Sequence, residues 1–357
     1  MKNICFLIGN LNNSGGTERV TTLIANELCK KNYNIVILSL VNGDKPFFKL
    51  DSRVTIRNLY AQKVSFKKNY LKTIWKIRNF VKNYKIETLV VVDSISCVYT
   101  IPALIGSNIN HICWEHFNFN VDLGVPFRPL GRKLAARYCD SIVTLTKRDK
   151  ELWEKNLKNI KATITPISNP TPYVNIEHIP KLEFKTILAM GRLTYQKGFD
   201  LLISAWSEVY QNNNDWILRI VGSGEDEIAL KNKAEILKIS ESIDFVPVTN
   251  NVEQYYQTSS FYCLSSRFEG FGMVMVEAQS FGLPVIAFDC DAGPSDIVEH
   301  GNNGYLVQCN NINELAFYIN KAINQTDAQY QGMILESNNR NQKFEVSNII
   351  EEWIKII

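Results

Sequence analysis

The sequence lacks the patterns that mark several large classes of protein. Its eight cysteines, at positions 5, 29, 97, 113, 139, 263, 290 and 309, include no Cys-x-x-Cys pair, so we expect buried thiols in a reducing compartment rather than a zinc site. No apolar run reaches the ~18 residues of a membrane span, and the first one is shorter than the core of a secretion signal. These absences predict a cytoplasmic protein.

A strong excess of either charge is also missing. The net charge is +3 at pH 7, which is too mild to indicate a nucleic-acid partner. The composition, with 45% hydrophobic and 21% charged residues, is that of an ordinary globular protein. A length of 357 residues exceeds the usual size of a single core. We therefore expect two domains with a cleft between them.

Apolar strand candidates alternate with helical patterns along the chain. They lie at residues 3–9, 34–40, 88–93, 111–114, 141–146, 186–191, 216–222, 242–248, 260–266 and 283–289. Because these strands are apolar throughout, they suit parallel sheets covered by helices on both faces. Four prolines in residues 164–184 predict a linker. The expected fold class is α/β, with two doubly wound domains at 1–168 and 169–343 and a last helix, at about 344–357, that packs back on the first domain.

Candidate ligand-binding residues follow the strands, at the sheet edge where doubly wound folds bind ligands. Gly15 and Gly16 precede a helix expected to open at Thr17, and the amides of this helix favour an anion. The alternative for these glycines is a plain tight turn. In a later loop, Arg192 and Lys197 suit a diphosphate, with a solvated basic loop as the alternative.

Two further segments carry candidate motifs. Residues 221–227, VGSGEDE, form half of a dinucleotide fingerprint but lack its third glycine, so nicotinamide binding is a poor fit. The stretch SRFEGFGMVMVEAQ places Glu269 in a loop and Glu277 in the first two turns of the next helix. Neither glutamate has a basic partner nearby in the sequence, which argues against a simple ion pair within one helix.

Taken together, these motifs resemble the retaining glycosyltransferases of family 4, which have the GT-B fold. The matching segments are Glu-x7-Glu with GFGMVMV between its glutamates, GRLTYQKG, GSGE at 222–225, GLPVIA at 282–287 and GNNGYLV at 301–307. GGTERV and the WEH tripeptide at 114–116 fit the same family. The resemblance implies two Rossmann-like domains facing a central cleft, the first on the acceptor side and the second binding the nucleotide-sugar.

The resemblance also implies roles for the residues of the Glu-x7-Glu segment. In that family the second glutamate binds the ribose hydroxyls of the nucleotide, and Glu277 occupies its position. Glu269 corresponds to the first glutamate, beside the donor sugar, and is not assigned as a nucleophile. The amides of Gly270, Phe271 and Gly272 would bind sugar hydroxyls.

Three residues outside that segment receive roles from the resemblance as well. Arg192 and Lys197 match the cations that neutralise the diphosphate leaving group, where fixed charges lower the barrier most. His116 matches a histidine that contacts the donor sugar, and a hydrogen-bonded loop histidine is the alternative. The predicted catalytic residues are thus Glu269, His116, Arg192 and Lys197, and the predicted donor-binding residues are Gly15, Gly16, Gly270, Phe271, Gly272 and Glu277.

A metal is not expected at the reaction centre. Asp289 and Asp291 match the Asp-x-Asp signature of glycosyltransferases with another fold, which hold a divalent metal. A pattern of two aspartates arises easily by chance, and enzymes with the GT-B fold use side-chain cations instead. We therefore expect no metal and no cofactor, with the nucleotide-sugar acting as a substrate.

The acceptor is indicated by one unusual segment, residues 63–85. It carries eight Lys or Arg residues, no Asp or Glu, and apolar residues at near-helical spacing. A basic amphipathic helix with aromatics can lie on an anionic bilayer, and an ordinary core helix with a solvated face is the alternative. Because many members of the family act on lipid-linked glycans at the cytoplasmic leaflet, the resemblance favours the first interpretation and a peripheral location on the inner membrane face.

The predicted function is transfer of a hexose or N-acetylhexosamine, with retention, from a UDP-sugar to a lipid-linked glycan acceptor in surface polysaccharide synthesis. Two alternatives stay open. A sugar-nucleotide epimerase of similar fold would convert the donor without an acceptor, and a non-catalytic module would only bind it. Donor turnover measured with and without acceptor distinguishes all three.

Overall fold

The computed structural model describes all 357 residues. Its strands are β1 (Asn3–Ile8), β2 (Asn34–Val41), β3 (Thr55–Tyr60), β4 (Thr88–Val92), β5 (Asn110–Trp114), β6 (Ser141–Thr144), β7 (Thr163–Pro166), β8 (Thr186–Met190), β9 (Ile217–Val221), β10 (Ile243–Val246), β11 (Phe261–Leu264), β12 (Val285–Asp289) and β13 (Gly304–Gln308).

The α-helices alternate with these strands. They are α1 (Gly16–Lys30), α2 (Tyr70–Asn83), α3 (Cys97–Leu104), α4 (Phe127–Tyr138), α5 (Lys147–Asn156), α6 (Phe199–Tyr210), α7 (Glu227–Ile236), α8 (Glu253–Gln257), α9 (Met273–Ser280), α10 (Pro294–Ile297), α11 (Ile312–Ile323), α12 (Asp327–Asn341) and α13 (Val346–Ile354). None of them combines the length and the apolar character needed to cross a membrane.

The chain forms two compact units, and each is built on one parallel sheet. The first unit comprises Met1–Pro170 with Val346–Ile357, and the second comprises Thr171–Glu345. The strand orders are β3-β2-β1-β4-β5-β6-β7 and β10-β9-β8-β11-β12-β13. Each chain segment therefore starts at an internal strand, winds outward in one direction, and then continues on the other side. This doubly wound topology confirms the predicted fold class.

Three strands were not predicted from the sequence, and all three lie at sheet edges. They are β3, β7 and β13. An edge strand has one exposed side, so it does not need a continuous apolar run; β3, for example, exposes Arg57 and Asn58. β7 ends in Pro166, which lacks an amide donor and is tolerated where only one neighbouring strand pairs.

The C-terminal helix α13 packs on the first unit, as predicted. The Trp353 ring is fully buried, with its centroid 4.8 Å from that of Trp114 and 6.4 Å from that of Phe6. At the surface, Lys31 Nζ lies 2.7 Å from Glu351 Oε1. Because burial of a tryptophan contributes far more than an exposed ion pair, the indole holds this helix in place.

Candidate active site

The centre of the second sheet supplies the first part of the candidate site. The strand order reverses between β8 and β11, which are parallel, hydrogen-bonded neighbours: β9 and β10 lie on one side of them, and β12 and β13 on the other. Loops that leave two such strands diverge and open a crevice at the carboxyl edge, where doubly wound sheets bind ligands. The loop after β8 carries Arg192 and Lys197, and the loop after β11 carries Glu269.

The structure brings Lys197 and Glu269 together, although 72 residues separate them. Lys197 Nζ lies 2.6 Å from Glu269 Oε1, and the side chains are only 18% and 8% exposed. Ser266 Oγ donates a second hydrogen bond, at 2.7 Å, to the same carboxylate oxygen. Such charge-assisted bonds in a largely dry environment keep both charges in place.

The two loops are tied to each other by the backbone around this pair. Ser265 Oγ donates to the carbonyl of Lys197 at 2.9 Å. Arg267 forms a bidentate pair with Asp200, at 2.9 and 2.7 Å. A Cβ added to Gly198, which has φ +63°, would lie 2.1 Å from the Ser265 carbonyl oxygen. Lys197 is therefore held by a rigid frame, and no other residue type suits position 198.

The glycine-rich loop after β9 braces the same frame from the other side. An added Cβ at Gly222 would lie 1.9 Å from the Gly191 carbonyl oxygen, and one at Gly224 would lie 2.1 Å from that of Leu193. These glycines thus permit close packing of two loops. Arg192, between Gly191 and Leu193 in the chain, is exposed and makes no hydrogen bond or ion pair, so its guanidinium remains available to an anion.

Glu277 lies in the second turn of α9, and Glu269 lies in the loop before it, as predicted. Glu277 is 6% exposed and accepts a hydrogen bond of 3.1 Å from the Tyr256 hydroxyl. Tyr256 in turn stacks on Phe281 with a centroid distance of 5.1 Å. Burial, followed by the Glu277 charge, raises the pKa of Tyr256 well above its usual value, so the phenol stays a donor.

The turn at residues 270–272 offers its backbone rather than its side chains. The Phe271 ring is 3% exposed and packs against Phe344 at 5.7 Å. Gly272, with φ +90°, is the N-cap of α9, and the first turn of that helix contains no acidic residue. The backbone amides at the start of α9 therefore form the positive end of the helix dipole.

Asp289 and Asp291 flank a buried residue after β12. Asp289 ends the strand, Cys290 is 2% exposed, and Asp291 is exposed in the following turn. Neither aspartate belongs to a group of three or more metal-ligating side chains. The expectation that transfer needs no metal stays a prediction.

In the first unit, the carboxyl end of β5 leads into Glu115 and His116. Glu115 is 1% exposed and accepts hydrogen bonds from Ser94 Oγ at 2.5 Å and Arg132 Nε at 3.1 Å. The amides of His116 and Phe117 also donate to it, at 3.0 and 3.2 Å. Burial raises the pKa of Glu115, and the charge of Asp93 adds to the rise, while Arg132, the Ser94 hydroxyl and Arg128 oppose it. Glu115 thus fixes the turn that presents His116.

His116 is a neutral, buried imidazole. It is 9% exposed, its ring centroid lies 4.4 Å from that of Trp114, and its Nε2 has no hydrogen-bond partner. Burial lowers the pKa of His116 to about 3, so the ring carries no charge near neutral pH. An unpartnered imidazole nitrogen of this kind is suited to a hydrogen bond with a sugar hydroxyl.

Sequence reasoning missed the polar network behind His116. Arg128 pairs with Asp93 at 2.8 Å, and Arg132 reaches Glu115 one turn further along α4. α4 can approach the backbone at Ser94 closely because Gly131 has no Cβ; an added Cβ would lie 2.3 Å from the Ser94 carbonyl oxygen. The i, i+4 spacing of two arginines beside a glycine was the available signal.

Asp149 was also missed. It is 2% exposed in the first turn of α5, where it accepts a hydrogen bond of 2.7 Å from the amide of Phe119. Burial raises its pKa to about 7, and the charge of Glu115 adds to the rise. Nothing in the sequence distinguishes this aspartate from the exposed ones.

Gly15 and Gly16 lie at the end of the loop that follows β1. The helix α1 begins at Gly16, one residue earlier than expected, because Gly15 takes the extended N-cap conformation with ψ 167°. No side chain caps the helix, and both glycines are exposed. The carboxylate of Glu18, in the first turn, lies against Gly15, where an added Cβ would meet Glu18 Oε2 at 2.5 Å. An anion at this helix end would therefore compete with Glu18.

The structure thus consists of two doubly wound units, each with polar side chains after the carboxyl ends of its strands. This architecture defines a class of ligand-binding α/β proteins. Two family models match the chain in succession: "Glycosyltransferase Family 4" over residues 14–172 and "Glycosyl transferases group 1" over residues 175–340. The chain belongs to the family 4 glycosyltransferases, and it has the GT-B fold.

Several curated proteins are similar over most of their length. An uncharacterized glycosyltransferase of Haemophilus influenzae is 42% identical over 100% of both chains. The amylovoran biosynthesis glycosyltransferase of Erwinia amylovora is 30% identical over 86% of both chains. A Campylobacter jejuni α-1,4-N-acetyl-D-galactosaminyltransferase, whose name includes a diphospho-undecaprenol-linked glycan, is 27% identical and covers 100% of this chain and 98% of its own.

Solved structures show the same fold at low identity. The lipopolysaccharide outer core galactosyltransferase WaaB has a TM-score of 0.80 at 20% identity, over 99% of this chain and 98% of its own. Anabaena HepE, solved with UDP and glucose, has a TM-score of 0.80 at 17% identity, over 98% of both chains.

Proposed function

We propose that this glycosyltransferase moves a hexose or N-acetylhexosamine, with retention, from a UDP-sugar to a lipid-linked glycan during surface polysaccharide synthesis. The observation that carries the proposal is the Lys197–Glu269 pair beside an uncommitted Arg192. Two cations in one rigid loop match the two charges of a departing nucleoside diphosphate. Solved structures of the same fold contain UDP, which supports a uridine-linked donor.

The leaving group is the centre of the proposed mechanism. As the glycosidic bond breaks, negative charge grows on the diphosphate, and a fixed cation stabilises it without reorganisation. Lys197 donates to this charge while Glu269 keeps the ammonium in place. Arg192 supplies the second cation. No metal is required for this step.

The remaining site residues bind and orient the donor. Glu277 accepts hydrogen bonds from the ribose hydroxyls, and Tyr256 fixes the orientation of its carboxylate. Backbone amides at 270–272 bind hydroxyls of the sugar. In the first unit, neutral His116 contacts the sugar, and the N-terminal amides of α1 at Gly15 and Gly16 favour the anionic donor.

The acceptor proposal rests on the surface of α2. Leu71 and Trp75, one turn apart, are 78% and 63% exposed, while Phe66 and Phe80 pack against the core of the first unit. None of the eight cations in residues 63–85 is in an ion pair with an acidic side chain; Lys76 and Arg78 donate to backbone carbonyls, which leaves the other six for lipid phosphates. An exposed leucine and tryptophan among unpaired lysines suit the interface of an anionic bilayer. The relative that names an undecaprenol-linked glycan supports the same class of acceptor.

Vesicle flotation tests the membrane contact. Reversal of Lys68 and Lys72 to Glu should release the protein from anionic vesicles and leave transfer to a short, water-soluble acceptor unchanged. The matched control reverses Lys155 and Lys158, which are exposed on another surface of the same unit. Wild-type binding should fall with salt, since the attraction acts within about 8 Å at physiological ionic strength. If both double variants float like the wild type, α2 is not a membrane surface.

Donor turnover tests the reaction itself. Purified protein is screened against nucleotide-sugars by thermal shift, and each binder is then incubated with and without a diphospho-polyprenol-linked acceptor. Transferase activity predicts UDP release and a heavier glycan only when both substrates are present. Conversion of the donor sugar without acceptor would identify an epimerase, and binding without turnover would identify a non-catalytic module; either result overturns the proposal.

A further inference from the structure

Three cysteines and a histidine meet in the core of the first unit. Cys97 opens α3, His111 and Cys113 lie on one face of β5, and Cys139 follows α4. All four side chains are buried, with exposed fractions of 0%, 4%, 0% and 5% in the same order. Because 42 residues separate the first from the last and no two form a short motif, the sequence does not reveal this cluster.

The distances within the cluster suit a single metal ion. Ligand atoms of Cys97, His111 and Cys139 all lie within 4.8 Å of one another, and Cys139 Sγ lies 3.6 Å from His111 Nδ1. A tetrahedral zinc with Zn–S of ~2.3 Å and Zn–N of ~2.05 Å separates sulfur and nitrogen by about 3.6 Å. Cys113 is also buried and lies two residues from His111 on the same face of β5; it is outside this group of three, so its thiol would have to move towards the ion.

The ring of His111 faces the cluster through Nδ1. The side chain is 4% exposed, and Nδ1 is the ring nitrogen that lies 3.6 Å from Cys139 Sγ. Nδ1 is therefore the ring atom placed to bind an ion held by the thiols.

We propose that Cys97, His111 and Cys139, with Cys113 as the fourth ligand, hold a structural zinc ion. Soft thiolates with one imidazole favour zinc, and four protein ligands leave no open position for catalysis. Binding replaces up to three thiol protons, which are released to solvent, and forms four coordinate bonds to the metal. The ion would tie α3, β5 and the end of α4 together, behind the turn that presents His116.

Metal content tests the proposal on the full-length protein. Protein purified from zinc-supplemented cells should contain one zinc per chain by elemental mass spectrometry. Cys97→Ser and Cys139→Ser should lose the metal, whereas Cys263→Ser, at a buried lone thiol of the second unit, should keep it. Wild-type zinc content no higher than that of buffer, or equal content in all three variants, would overturn the site.

A spectroscopic measurement decides the matter even if the variants do not fold. Wild-type protein unfolded, stripped of metal and refolded with Co²⁺ should show thiolate-to-cobalt charge transfer and the strong visible bands of tetrahedral cobalt. Weak octahedral bands would contradict the proposal. So would a native mass two hydrogens lower than the reduced chain, since that mass identifies a disulfide within the cluster.

Discussion

The replacement of Lys197 by methionine tests the leaving-group mechanism most directly. Methionine removes the ammonium but keeps an unbranched stem beside Gly191, where an added Cβ would meet Lys197 Cε at 3.1 Å. The Ser265 hydroxyl bonds to the backbone carbonyl of residue 197, so the loop frame does not depend on this side chain. We therefore expect a local loss of charge and no change of loop conformation.

Two magnitudes follow from the structure. A preorganised group that stabilises transition-state charge contributes ~3 kcal/mol, so kcat/KM for the donor should fall by ~100-fold or more. The same change leaves the Glu269 carboxylate without its cationic partner. Breaking a fully buried ion pair costs ~3–5 kcal/mol, but both side chains here retain some exposure, at 18% and 8%, and Ser266 still donates to the carboxylate. The stability loss should therefore lie below that range.

A second variant separates the two effects. The double variant Lys197→Met, Glu269→Gln has no carboxylate left without a partner at this place. Its thermal stability should therefore recover, while its kcat/KM stays low. Lys231→Met is the control, because Lys231 forms an exposed pair with Glu227 at 2.7 Å in the same unit; it should change neither quantity. The assay is initial-rate UDP release with acceptor. Wild-type kcat/KM in a folded Lys197→Met protein would refute the mechanism.

The remaining predictions concern the nucleotide, the metal and pH. Glu277→Ala should weaken UDP binding, measured by calorimetry, more than it lowers kcat, because ribose contacts exist in both ground and transition states; unchanged UDP affinity would contradict the ribose assignment. Brief treatment with a chelator should leave transfer intact, since the proposed zinc lies in a closed core site, and Asp291→Asn should be mild; loss of activity restored by manganese would revive the Asp-x-Asp interpretation. Asp149 has a pKa raised from 3.8 to about 7, so the folded state keeps a proton that the unfolded state loses. Its contribution to stability is full below about pH 4 and is lost as pH rises towards 7, by up to ~1.4 kcal/mol per pH unit. Asp149→Asn should therefore flatten that part of the curve of melting temperature against pH, and parallel curves for the two proteins would show that the carboxyl does not titrate there.

Much of the fold was predictable because its determinants are local. Apolar runs such as residues 34–40 and 186–191 became internal strands at nearly the predicted bounds. The edge strands β3, β7 and β13 were missed, since an exposed side removes the continuous apolar signal. The start of α1 shifted by one residue because a glycine N-cap leaves no side-chain signature.

The residues of the candidate site were predictable from the sequence, but the contacts between them were not. Arg192, Lys197 and Glu269 lie in the loops that follow β8 and β11, and Glu277 lies in α9, as their positions in the sequence predict. The contact between Lys197 and Glu269 depends on β8 and β11 being neighbours, which strand order decides and spacing in the sequence does not.

The sequence by itself determined the family, the doubly wound architecture and the chemical type of each loop, because hydrophobic periodicity and short motifs act within a few residues. Only the tertiary structure decided which charges meet, which polar groups lose water and which thiols converge. The neutral His116, the high pKa of Asp149 and the cluster around Cys97 all result from burial by elements distant in the chain. Desolvation is a property of the assembled core, so no local pattern encodes it.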